Sequence, residues 1–174
     1  MALSLDAAII PNWCQTLGAV EGLLDKAEDF ARANDGETSL LQSRLIDDML
    51  PLNYQFKSCW THTAMAIEGV RHGRFSPEMT PPPGSIDELR KMILDARSAC
   101  EAVGEDELEA LADNEMVFSI GDKFRLDFTV QDFLLSFSTP NLYFHAATAY
   151  DILRMKGVEI GKRDYLGAMR VRSA

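Results

Sequence analysis

Between Trp13 and Ala33 the apolar residues fall at Leu17, Val20, Leu23, Leu24, Ala27 and Phe30. Steps of three and four place them on one side of a helix, and a stripe that wide has to be covered by other elements. The same spacing returns along three further stretches, which restricts the chain to helices packed on helices.

The first helix is predicted over Trp13 to about Ala33, with Pro11 suited to its first turn or to a kink beside it. NDGETS breaks the pattern with turn residues. A second helix is predicted from about Ser39 to Ile67, carrying Leu45, Met49, Leu52, Phe56, Cys59, Thr63 and Ala66, and bent at Pro51. Gly69 to Gly84 holds three consecutive prolines and reads as a long crossover loop. Ser85 followed by Glu88 forms a capping-box pattern, so a third helix begins there with Leu89, Met92, Ile93, Ala96, Ala99 and Val103 on one face. The acidic run Glu105 to Glu115 reads as a solvated face.

MVFSIGDKFRLDF alternates apolar and polar residues around Gly121-Asp122, the pattern of a short hairpin. Thr129 is a candidate N-cap for a last helix over Val130 to about Lys156, which contains Pro140 and stops at Gly157. The remaining tail reads as a loop with one turn of helix. The expected architecture is therefore all-α: an up-down four-helix bundle in one domain, residues 1–174, with a long crossover loop and a small β-hairpin before the last helix.

At 174 residues the chain can bury one sizeable core without staples. Its net charge of -10 disfavours nucleic acid and anionic lipid. No apolar run approaches the roughly 20 residues of a spanning helix, and the N-terminus lacks a basic region ahead of its apolar part, so a cytoplasmic protein is expected. Cys14, Cys59 and Cys100 form no CxxC pair and stand among apolar neighbours, which points to reduced, buried thiols. HExxH, ExxH, GxSxG and a complete phosphate loop are all missing.

RLIDDMLPLNYQ (Arg44 to Gln55), TPNLYFHAATAYDILRMKGVEIGKRDYLG (Thr139 to Gly167) and LLDKAEDFARA (Leu23 to Ala33) resemble the hallmark stretches of domain-of-unknown-function family nineteen ninety-three. That family resembles a branch of the DinB/YfiT-like bundles. The better-known members of that group hold a divalent metal with three histidines, one from the second helix and two from an HxxxH pair on the fourth. Several act as thiol-dependent transferases or isomerases. The resemblance implies the bundle, and it also implies a site to test.

HxxxH works because residues four apart share a helix face, so two imidazoles converge on one ion. Here His145 is followed four residues on by Ala149 and preceded four residues back by Asn141. At ~100° per residue, Ala146, Ala149 and Leu153 cluster on the core side and His145 lies on its inner flank. On the second helix Asp48 and Gln55 fall to one side of the apolar centre, and His62 lies about 100° away. Asp48, Gln55 and His145 can thus line a polar pocket for a water cluster, a weak metal or a small polar ligand, although such a set supplies only part of a transition-metal shell. Tyr150 and Arg154, one turn apart, are placed to anchor the tail through Lys162, Arg163 or Asp164, and they complete the candidate pocket set.

No resident metal or cofactor is expected. The favoured reading is a binding or interaction module, and the alternative is a degenerate-site transferase or isomerase using His145 with Asp48. Phe133, Phe137 and Phe144 point away from the core stripe of the last helix, so either the hairpin or a second copy of the chain has to cover them, and a homodimer is expected.

Overall fold

A computed structural model describes residues 3–34 and 36–172. Helix α1 spans Leu5–Ala33 and so starts two turns before the apolar periodicity. Its start is set by Ser4, whose Oγ accepts the Ala7 N–H at 3.2 Å. Pro11 stands inside the helix, and Trp13 is fully buried with its indole N–H donating to Thr139 Oγ1 at 3.0 Å.

The predicted helix over Ser39 to Ile67 is divided. α2 is a short piece, Glu37–Leu41, and residues 42–51 form a non-helical connector. α3 then runs Leu52–Trp60, with Pro51 as its N-cap and not as a bend within it. Proline disfavours helical geometry in the residue before it and offers no N–H, which suits a helix start better than an interior. The Leu52 N–H closes the connector by donating to Ser43 O at 2.9 Å, and Arg44 donates to Met49 O at 2.9 Å. Leu45, expected in the core, is exposed.

From Trp60 the helix continues through a π-helical turn, Thr61–Met65, into α4, Ala66–His72. Gly73, at φ +68°, ends it in the left-handed region that glycine tolerates best. The expected crossover loop therefore begins later and is not wholly irregular. Its first residues form β1, Arg74–Phe75, which pairs in parallel with β2, Glu115–Ile120. β3, Phe124–Thr129, pairs antiparallel with β2, so the expected hairpin is two strands of a three-stranded sheet. Gly69 permits the close approach of helix and sheet, since a Cβ there would stand 3.1 Å from Arg74 O. The proline-rich segment is pinned over α3: Lys57 Nζ donates to Thr80 O at 2.7 Å, and Asn53 Nδ2 donates to Pro83 O at 2.9 Å.

α5, Ile86–Glu101, starts at Ser85 as the capping pattern requires. The acidic run is only partly a solvated face, because it forms α6, Glu107–Leu111, with Leu108 buried. Glu107 pairs with Arg71 at 2.7 Å, and Glu109 accepts the Leu5 N–H at 2.6 Å, so these carboxylates hold the start of α1 and the end of α4. The last long helix is continuous over residues 130–155: α7 (Val130–Asp132), a second π-helical turn (Phe133–Ser138) and α8 (Thr139–Met155). Thr129 caps it as expected, accepting the Asp132 N–H at 3.2 Å. Pro140 removes one backbone donor just after the π turn, and Asn141 Nδ2 supplies another to Phe137 O at 2.8 Å. The tail contributes one short helix, α9, Lys162–Leu166.

The fold is mostly helical. α1 packs against α5 and α8, α3 packs against the same two, and one apolar core fills the space among them. The sheet lies over the π turn at 133–138. Met116, Phe118 and Ile120 face the same way as Phe128, Leu126 and Phe124, and Phe118 meets Phe137 with ring centroids 4.8 Å apart. Phe133 and Phe137 are thereby covered by the hairpin, whereas Phe144 stays 56% exposed. Among the described residues no helix is long and apolar enough to cross a membrane.

Candidate functional site

The two π turns interrupt helices at one level of the core, and the most polar part of that core lies beside them. A π turn inserts one residue into an α-helix and rotates the next turns about the axis, a device that recurs at functional sites. His62 sits in the first such turn and Phe137 in the second, and their rings meet edge to face at 5.6 Å. His145 comes from the second turn of α8 and stacks on His62 with centroids 5.8 Å apart and planes 13° from parallel. Phe75, from β1, stacks on His62 with centroids 6.0 Å apart.

Gln55, buried on α3, orients His145. Its Nε2 donates to Leu50 O at 2.8 Å, which leaves Oε1 directed at His145 Nδ1, also at 2.8 Å. An amide oxygen only accepts, so Nδ1 carries the proton and Nε2 of His145 keeps its lone pair. Tyr54 and Phe144 approach the same ring edge-on at 6.0 and 5.3 Å. His62 is buried, and its Nδ1 has no hydrogen-bond partner among the described residues.

Both imidazoles are held neutral. Burial pushes His62 down to about 3, with the nearby His145 adding to the effect, and burial pushes His145 down to about 4. Neither ring can serve as a strong base at neutral pH. Each can still accept or donate one hydrogen bond.

The expected pocket set separates into three groups. Gln55 and His145 are together. Asp48 is exposed on the 42–51 connector, bonded to neither His145 nor Arg44, because the helix that was to carry it inward ends at Leu41. Tyr150 and Arg154 face the tail: Tyr150 meets Tyr165 edge to face at 6.0 Å, and Arg154 Nη1 reaches Val158 O at 3.5 Å. Asp164, a suggested partner for them, accepts the Gly161 N–H at 2.7 Å instead.

His62 is the residue that the helical wheel sets aside for its distance from the apolar centre, although it stands beside Gln55. Counted from Gln55 it stands seven residues on, about 20° from the same face, and that heptad step is the signal the sequence offers. Of the cysteines, Cys59 is buried, and burial pushes its thiol up to about 12. Cys14 is only half-buried, and burial pushes its thiol above the ordinary value.

Among the described residues no group of three or more His, Cys, Asp or Glu side chains is disposed to hold a metal ion. Two imidazoles and an amide do not make the three-histidine set.

The family described as "Domain of unknown function (DUF1993)" matches residues 5–166. The chain belongs to the DUF1993 family. No curated protein matches it. Among solved structures, a DinB family member protein from Shewanella denitrificans is similar over 98% of this chain and 96% of its own, with 29% sequence identity and a TM-score of 0.77. The Gln55–His145 bond lies within the matched span and joins the segment ending at Gln55 to the one beginning at Thr139.

Proposed function

We propose that this DUF1993 protein is a small-molecule-binding module, built on a DinB-like four-helix bundle that has lost the three-histidine metal site. The ligand is an uncharged polar molecule with a hydroxyl or N–H group, which it donates to Nε2 of His145. One observation carries the reading: Gln55 fixes His145 with its proton on Nδ1, so an accepting nitrogen remains beside a second neutral imidazole. The exposed ring of Phe144 and the half-buried ring of Tyr54 offer apolar surface for the ligand's body. The π turns favour the same place.

A thermal-shift screen of hydroxyl-, amine- and thiol-bearing metabolites tests this. At least one should raise the melting temperature of the wild type and not that of His145→Ala. If no hit depends on His145, the reading fails. Elemental analysis of protein purified without chelator, followed by zinc and nickel titration, tests the lost metal site. Stoichiometric metal that disappears in His145→Ala would overturn it.

The alternative transferase or isomerase requires Asp48 within reach of His145, and the exposed position of Asp48 does not favour it. We also propose that the chain forms a homodimer, with Phe144 in the contact. Size-exclusion chromatography with light scattering decides this, since a clean monomer at micromolar concentration rejects it.

A further inference from the structure

Tyr143 is two residues before His145 and so lies about 200° around α8 from it, on the side of α1 and α9. A cleft of about 270 Å3 opens there, lined by Asn12, Gln15, Thr16, Tyr143, Tyr165 and Leu166. It is separate from the two histidines, and its shape depends on Gly167. That residue adopts φ +61°, and a Cβ on it would stand 3.1 Å from Ala19 Cβ and 3.2 Å from Gln15 O. Glycine alone lets the tail press this close to α1, where Leu166 O accepts from Gln15 Nε2 at 2.8 Å.

Beyond Gly167 the chain returns over α1 and sets a guanidinium at the cleft's edge. Arg170 donates to Pro11 O at 2.6 Å, Gln15 Oε1 at 3.0 Å and Asn12 Oδ1 at 2.7 Å. All three acceptors are uncharged, and among the described residues no carboxylate lies within ion-pair distance of Arg170. In a chain of net charge -10, a cation held in place by three neutral oxygens is unusual. Of the five N–H groups of a guanidinium, two are left over. The phenol hydroxyls of Tyr143 and Tyr165 have no protein partner among the described residues, and burial pushes both above the ordinary tyrosine value, so they stay protonated donors.

We propose that this cleft binds a small organic monocarboxylate, with its oxygens on Arg170 and the tyrosine hydroxyls and its apolar body against the tyrosine rings and Leu166. Charge-assisted bonds to a guanidinium favour a carboxylate. The volume lies just under the roughly 300 Å3 at which pockets accept drug-sized molecules, so the ligand is metabolite-sized. The chain's net charge of -10 opposes a second negative charge, which favours a monoanion over a phosphate dianion.

Titration of the full chain with sodium benzoate, followed by NMR, tests the assignment. Benzoate should bind saturably with shifts at Tyr143, Tyr165 and Leu166, and the neutral isostere benzamide and inorganic phosphate should each bind at least about ten-fold more weakly. Arg170→Gln should weaken benzoate by about ten-fold or more. Should that variant also loosen the tail, Tyr143→Phe keeps the ring, removes one donor and should still weaken binding. The proposal is overturned if benzamide or phosphate matches benzoate, if both variants bind as the wild type does, if shifts centre on His145, or if no saturation appears by about 10 mM.

Discussion

His145 and Tyr143 stand two residues apart on one helix, and the helix delivers them to opposite treatments of polar groups. On the α3 side, Gln55 and the surrounding rings hold a buried and a half-buried imidazole uncharged. On the α1 side, Arg170 is charged, exposed and bonded only to neutral oxygens, beside a cleft that remains open. The first arrangement spends desolvation to set a tautomer. The second keeps a charge hydrated and in place. A desolvated imidazole ties its protonation to stability, and a hydrated guanidinium does not.

The largest expected effect belongs to the imidazole side. The folded values of His62 and His145 lie below the ordinary 6.5, so above pH 6.5 both states are neutral and stability does not change on their account. As the pH falls from 6.5 toward about 4, the unfolded chain takes up protons that the folded chain refuses, and stability is lost by up to about 1.4 kcal/mol per pH unit for each histidine. Urea midpoints measured against pH should show this slope, and His62→Phe should remove part of it. A flat profile over that window would mean that the imidazoles are not desolvated.

Gly167→Val comes next, at about 3 kcal/mol, because it adds strain at a positive φ to a clash with Ala19. It should also abolish the benzoate cleft while leaving the acid slope intact, and loss of both together would erase the distinction between the two sides. Gln55→Leu should cost about 2 kcal/mol by leaving the His145 Nδ1–H without an acceptor. Nitrogen NMR of the imidazole should then show the proton leaving Nδ1 for Nε2, and an unchanged tautomer would sink Gln55's orienting role. Phe144→Ser should alter monomer stability by less than about 0.5 kcal/mol, since its ring is already exposed. A larger loss that depends on protein concentration would place that ring in a dimer contact.

How much was legible depended on how local each signal was. The caps at Ser85 and Thr129, the turn at Gly121 and the stop at Gly157 are nearest-neighbour chemistry, and each falls where the residues put it. Arg44 to Pro51 carries a helix-like pattern that the chain does not use, since the residue before a proline resists helical geometry and the Leu52 N–H finds Ser43 O instead. That one break moves Asp48 outside.

The amino-acid sequence by itself determined the helical class, the hairpin, the family and the single imidazole of α8 with no second one a turn away, because periodicity, capping and motif are written along the chain. Only the tertiary structure decided that β1 would join the hairpin, that His62 would stack on His145, and that Arg170 would fold back onto Asn12 and Gln15. These contacts join residues far apart in the chain, up to 158 positions for Arg170 and Asn12, and their geometry comes from how the helices twist and pack, which no local pattern encodes.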